Sequence, residues 1–182
     1  MSRKYKFHEK EGAYFVSFAT VNWIDVFTRD LYFSIMTESL DYCRKNKGME
    51  IYGYCIMPSH VHLIFRSALG DPSGLMRDLK GFTSRKIMKT IQDNPQESRR
   101  EWLLWMFERA GKKNCNVKEK QFWQQNNQPI EIWSLKVFEQ KLTYIHNNPV
   151  EAGFVTDPTD WKHSSARNYS NNDHTILEID LN

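Results

Sequence analysis

Runs of apolar residues, some alternating and some at helical spacing, divide the chain into short elements. Tyr14 to Val21 is rich in aromatic and β-branched residues and predicts a strand. Asn22 to Asp30 reads as a loop. Asp30 is the expected cap of a helix from Leu31 to about Lys47, where Tyr32, Ile35, Met36, Leu40 and Cys43 recur at helical spacing. Gly48 stops it. Glu50 to Ile56 predicts a second strand. A Pro58-Ser59 turn then leads into a third, in which Val61, Leu63 and Phe65 alternate toward a core. After the Gly70-Asp71-Pro72-Ser73-Gly74 loop, with Asp71 or Ser73 as cap, a helix is expected from Leu75 to about Ile91. Its approximate apolar stripe is Leu75, Leu79, Phe82, Ile87 and Ile91. Asn94-Pro95 breaks it, and another helix follows from about Gln96 to Ala110. Two short strands are expected at Gln121–Gln124 and Ile130–Trp133, around Asn126-Asn127-Gln128-Pro129. A last helix runs from near Ser134 to near Pro149, with Phe138, Leu142 and Ile145 on its packing face. The tail after Val155 is turn-rich, with Trp161 and Tyr169 as anchors.

Strand, helix, strand, strand, helix, then strand and helix is a split βαβ order. It predicts an α+β, ferredoxin-like sandwich with a mainly antiparallel sheet, helices on one face, and the other face left for a ligand. The 182 residues suffice for one domain with a real core, expected to span 1–182 with a basic helical stretch, 75–118, inside it. No internal repeat or low-complexity linker divides the chain.

Composition narrows the setting. No apolar run approaches the roughly 20 residues needed to span a bilayer. The basic start, Met1 to Lys6, has no apolar segment behind it long enough for a signal peptide, so a cytoplasmic protein with no membrane partner is expected. Cys43, Cys55 and Cys115 are odd in number and widely spaced, which fits reduced thiols better than disulfides or a zinc knuckle. The net charge is only +3, but from Arg77 to Lys120 bases outnumber acids about two to one. Such a stripe suits a phosphate backbone, although a solvated helix face is the commoner origin of the pattern. The Arg77 to Lys89 helix is the best source of backbone contacts. Trp102, Trp105, Trp123, Trp133 and Trp161 can stack bases, but most are expected in the core.

The chemistry concentrates in two places. His60 and His62 follow the Met57-Pro58-Ser59 turn and, two apart in a strand, point to the same face, where two imidazoles can grip a divalent cation. By itself an HxH pair is more often surface decoration than a metal site. Far downstream, Tyr144 lies about 100° off the packing stripe of the last helix, and Asn148 sits one turn later on the same side. If that edge faces the histidines, a tyrosine hydroxyl stands beside a cation held by two imidazoles and an amide oxygen. His146 points away from Tyr144 and reads as structural or phosphate-facing, while His8, His163 and His174 have no companion spacing.

His60-Val61-His62 after the Met-Pro-Ser turn, followed by Tyr144-Ile145-His146-Asn147-Asn148-Pro149-Val150, resembles the single-tyrosine transposases of the HUH endonuclease superfamily, in particular the REP-associated tyrosine transposases. The likeness runs from the first strand to the Trp161, Ser164-Ser165 and Tyr169 tail. One departure is that Val61 is smaller than some of the bulky apolar residues found between the two histidines. The resemblance implies that His60 and His62 are metal ligands and Asn148 the third, where related insertion-sequence transposases use Gln. It implies that Tyr144 is the nucleophile that cleaves and rejoins single-stranded DNA with hairpin ends, through a 5′-phosphotyrosine intermediate. The implied cofactor is Mg²⁺ or Mn²⁺, and relatives work as monomers or as dimers.

These residue types suit that chemistry. A phenol, with a pKa of about 10, is a poor nucleophile at neutral pH and needs a polarised phosphate as its target. A covalent intermediate also keeps the phosphodiester energy, so rejoining needs no ATP. Two other classes remain open at this stage: a domesticated DNA-hairpin-binding protein without turnover, and an ordinary metallohydrolase that cuts without a tyrosine adduct.

Overall fold

The computed structural model describes residues 7–114, 119–125 and 129–180. The basic Met1–Lys6 start, Cys115 with the end of the basic loop, and the Asn126–Gln128 turn lie outside the described residues. Four antiparallel strands form one sheet in the order β2-β3-β1-β4: β1 (Ala13–Ala19), β2 (Met49–Ile56), β3 (His60–Ser67) and the two-residue β4 (Ile130–Glu131). The helices are α1 (Asp30–Lys47), α2 (Pro72–Asp93), α3 (Arg100–Lys112), α4 (Leu135–Glu151) and the short α5 (Ala166–Asn171). The chain crosses from β1 through α1 to β2, and β3 inserts between the two strands. This is the split βαβ order expected of a ferredoxin-like α+β fold.

Strand alternation sorts the core into two layers. Tyr14, Val16 and Phe18 of β1 and Val61, Leu63 and Phe65 of β3 face α1, α2 and α3, where Tyr32, Ile35, Met36, Leu40, Leu79 and Phe107 are buried with them. The residues between them face the other way. On that side Phe15, Cys55 and Ile64 are buried with Ile145, and Phe138 and Leu142 of α4 pack against them. The face left for a ligand therefore receives α4, whose apolar stripe has the expected members. A register shift in β2 between Ile51 and Gly53 keeps Ile51 in the first layer and turns Tyr52 into the second. Gly53 lets the helix lie close, since a Cβ there would stand 2.7 Å from Leu142 Cδ1.

Several boundaries differ from the sequence reading for local reasons. β1 stops at Ala19, and Val21–Trp23 forms a 3₁₀ turn. α2 begins at Pro72, capped by Asp71 Oδ1 accepting from the Gly74 N–H at 2.8 Å. Thr83, not Phe82, takes the inward place between Leu79 and Ile87, because a strict four-residue row faces the sheet. The Thr83 hydroxyl donates to the Leu79 carbonyl at 2.7 Å and accepts from Trp123 Nε1 at 3.1 Å, so the polar group is satisfied. The strand expected around Trp123 reduces to a single bridge with Thr20. α4 continues through Pro149, which has no N–H to donate and so costs the helix one bond near its end. The tail covers the β2 edge. Trp161 Nε1 donates to the Ile56 carbonyl at 3.0 Å, the Tyr169 hydroxyl to that of Tyr52 at 2.6 Å, and the Asp180 N–H to that of Ile51 at 2.7 Å. Of the five tryptophans weighed as core, Trp123 is buried and Trp161 partly so, whereas Trp102, Trp105 and Trp133 are exposed. The inward row of α3 is Leu103 and Phe107, which turns Trp102 and Trp105 outward. Cys43 and Cys55 are free, buried thiols.

A buried carboxylate joins the start of α1 to the segment before α3. The Glu97 side chain is 0% exposed and accepts from Arg29 Nε at 3.1 Å, Arg99 Nε at 3.2 Å and the Tyr32 hydroxyl at 3.0 Å. Burial by itself opposes its charge, but hydrogen bonds from the Arg99 backbone, Tyr32 and the Arg99 guanidinium hold its pKa below the usual range. Both arginines are more than a third or close to a third exposed, which discounts the ion pairs. Glu97→Ala is expected to cost about 2–4 kcal/mol in urea denaturation, and Glu97→Gln, which keeps an acceptor, about half as much.

Candidate active site

The second face of the sheet carries the histidines. In the register, His62 stands opposite Ser17 and Cys55, and His60 opposite Ala19, so both imidazoles sit under α4. The turn that delivers them is tied down from the β1 side. The Thr20 N–H donates to the Ser59 carbonyl, and the Val26 and Phe27 N–H groups donate to that of Pro58, each at 2.9 Å. α4 is capped by Ser134, whose hydroxyl accepts from the Val137 N–H, and its packing stripe fixes its rotation. That rotation brings the edge with Tyr144 and Asn148 over β3. The His60 and His62 ring centroids are 4.7 Å apart, the His62 and Tyr144 centroids are 5.2 Å apart, and Asn148 Oδ1 is 3.2 Å from His60 Nε2. One chain brings all four sequence-predicted site residues together.

Their environments differ. His62 is 3% exposed, stacked on Phe15, and neither of its ring nitrogens has a hydrogen-bond partner. Burial, and then repulsion from His60, push its pKa down to about 3. Burial also lowers His60, with the Asn148 contact opposing it. Both rings are thus neutral at physiological pH, the form in which imidazole ligates metal. A buried polar group without a partner is rare and costly, which makes the orphaned His62 ring, with one lone pair to offer, the best structural pointer to a ligand site. Ser59 Oγ lies 3.2 Å from His60 Nδ1. When Nδ1–H donates to that hydroxyl, Nε2 and the Asn148 oxygen both present lone pairs, the outer-sphere arrangement that orients a ligating histidine. Among the described residues no group of three or more histidines, cysteines, aspartates and glutamates is placed to hold a metal. The donor set that fits one is two imidazoles and an amide oxygen.

Tyr144 is 42% exposed, and its ring packs at steep angles against those of His62 and Phe15. Lys141, three residues before it on the same helix, holds its ammonium 5.1 Å from the centroid of the Phe15 ring that Tyr144 also contacts. The sequence reading did not single out Lys141, although its i, i+3 spacing from Tyr144 signals it. Trp23 was also missed. Its ring lies 5.3 Å from that of His60 and is 57% exposed, and both Trp23 and Asn22 have left-handed backbone (φ 54° and 56°). For a bulky residue that conformation costs about 1–2 kcal/mol. The basic helix α2, by contrast, packs on the opposite face. Arg77 is paired with Asp78 and Lys89 with Asp93, while Lys80 is half-buried with its ammonium over Phe18, and desolvation pushes it down to about 8.

His146 faces the tail, with Nε2 2.9 Å from the Ser165 hydroxyl, which in turn donates to the Tyr54 carbonyl. Burial pushes His146 down to about 4, and burial together with Lys162 does the same to His163. The unfolded chain takes up these protons near pH 6.5 and the folded chain does not, so stability is complete above that pH and is lost as the pH falls from about 6.5 to about 4. In urea titrations across that window His146→Gln is expected to flatten the loss by up to roughly 1.4 kcal/mol per pH unit.

A profile of the family described as "Transposase IS200 like" matches residues 13–108, which contain His60 and His62 and end before Tyr144 and Asn148. A solved structure of a REP-associated tyrosine transposase bound to a REP hairpin has the same fold: TM-score 0.68 at 18% identity, covering 100% of both chains. A protein assigned as a transposase from Deinococcus radiodurans R1 aligns with a TM-score of 0.46 at 16% identity, over 81% of this chain and 95% of that one. No curated protein matches the sequence.

Proposed function

The chain belongs to the IS200-like transposase family and is a transposase; from that premise we propose that it cleaves and rejoins single-stranded DNA through a covalent bond to Tyr144. The observation that carries this reading is the placement of a half-exposed tyrosine ring 5.2 Å from a buried histidine whose nitrogens have no partner. Tyr144 Oη attacks the scissile phosphorus, and the bond from phosphorus to the 3′ oxygen breaks. The phenol gives up its proton and the departing 3′ oxygen takes one. The products are a 5′-phosphotyrosine and a free 3′-hydroxyl, and attack by a second 3′-hydroxyl reverses the step.

His60, His62 and Asn148 would hold a divalent ion, Mg²⁺ or Mn²⁺, which when bound polarises the phosphate and offsets its charge. Phe15 and Ile145 keep water from the buried side of the pair, and Lys141 adds a positive charge over the Phe15 ring. The substrate proposed is DNA with a hairpin end, since the solved transposase of the same fold was bound to a REP hairpin. The chain acts as one functional unit, because its two halves each supply part of the site, and a monomer suffices for that site.

Labelled hairpin DNA incubated with the protein and Mn²⁺ tests the proposal. A protein–DNA adduct that survives denaturation, with a product ending in a 3′-hydroxyl, is the expected result. Retarded bands without cleavage would identify a pure binder, and cleavage without an adduct a metallohydrolase.

A further inference from the structure

We infer that Trp23 is the platform on which the base flanking the scissile phosphate stacks, with Arg109 of α3 and Lys113, which caps its C-terminus, carrying the adjoining backbone. This rests on the transposase chemistry proposed above and adds to it where the single strand runs. Trp23 stands at the solvent edge of the histidine pair, with its plane 69° from that of His60 and more than half of its surface open. A large aromatic left exposed beside a phosphodiester-cleaving centre offers a π-face that every base can use.

Its position is built rather than accidental. The Trp23 N–H donates to the Thr20 carbonyl at 3.1 Å, and the Thr20 hydroxyl donates to the Ile24 carbonyl at 2.7 Å, closing a tight loop around two left-handed residues. The same loop is bonded to the turn that delivers His60, since the Thr20 N–H donates to the Ser59 carbonyl, which ties the platform to the imidazole. Strained backbone held in place by its surroundings is concentrated at functional sites. Next to Trp23 along the chain, Asn22 lines a hollow of about 210 Å³ with Met106, Arg109, Ala110 and Lys113. Two cations and no carboxylate face that hollow. Neither cation is in an ion pair among the described residues, and the Arg109 guanidinium lies 5.1 Å from the exposed Trp105 ring. Aromatic faces interleaved with cations are the pattern that grips single-stranded nucleic acid.

The test reads binding apart from cleavage. A DNA hairpin with a randomised single-stranded flank is selected on the Tyr144→Phe protein, and abasic sites are then scanned along the selected flank. At one flank position loss of the base is expected to weaken binding roughly 5- to 150-fold. Adding Trp23→Ala should cost the same factor on intact DNA and nothing more on the abasic probe, and Trp23→Tyr should restore part of it. Arg109→Ala should weaken both probes alike and reduce the salt dependence. If Trp23→Ala leaves affinity unchanged, or costs equally with and without the base at every position, the platform is refuted. Trp23→Tyr, which keeps a ring in the loop, applies the same criterion should the alanine variant unfold. A base-dependent effect of Trp23 together with no adduct from the wild-type protein would keep the platform and reject the tyrosine chemistry.

Discussion

Replacing Tyr144 with phenylalanine is expected to abolish the covalent protein–DNA adduct while leaving hairpin affinity and folding stability nearly unchanged. The substitution removes one oxygen and nothing else. The ring contacts with His62 and Phe15 remain, and the helix is held by Phe138, Leu142 and Ile145, which the change does not touch. Because Tyr144 is substantially exposed, its hydroxyl leaves no buried partner unsatisfied. A lost nucleophile is not compensated by the rest of a site, so adduct formation should fall on the order of 10⁴- to 10⁶-fold. The assay is a denaturing gel of labelled hairpin DNA, run beside a binding measurement. An adduct that persists in Tyr144→Phe would assign the nucleophile elsewhere.

The second large effect separates function from stability. In the metal-free protein the two His62 nitrogens have lost water and gained no partner, an arrangement that costs about 1–3 kcal/mol. His62→Phe fills a similar space against Phe15 and removes that cost. Metal-free stability should therefore hold or rise slightly, while cleavage is lost. The wild-type protein should gain about 2.7 kcal/mol when Mn²⁺ is present at 100 times its dissociation constant, and the variant should gain almost nothing. Affinity measured by calorimetry should drop by more than the roughly 10- to 100-fold typical of losing an outer-sphere partner. A His62→Phe protein that still binds Mn²⁺ as the wild type does would remove His62 from the ligand set.

Much of this site is legible in the chain because its parts obey short-range rules. The same-face placement of His60 and His62 follows from the pleat, and the side shared by Tyr144 and Asn148 follows from one helical turn. Residues whose role comes from another segment are not legible in this way. Trp23 gives no periodic signal, since its value lies in the turn at Ser59 that its loop is bonded to. Phe82 and Thr83 are adjacent, and only the packing of α2 on the core, where Trp123 meets Thr83, decides which faces inward. The basic run 75–118 reads as one stripe, but the fold divides it. Lys80 folds back over Phe18 and acidic neighbours pair Arg77 and Lys89, while Arg109 and Lys113 reach the hollow beside Trp23.

The sequence by itself determined the split βαβ order, the layers to which the residues of β1 and β3 turn, and the identity of the groups able to do phosphoryl chemistry. All of these depend on backbone periodicity and side-chain type, which are properties of neighbours in the chain. Only the tertiary structure decided that α4 crosses the face carrying the histidines, that His62 is sealed from water without a partner, and that Trp23 guards the open side. Those depend on contacts between residues tens of positions apart, where packing and desolvation, rather than local preference, set the outcome.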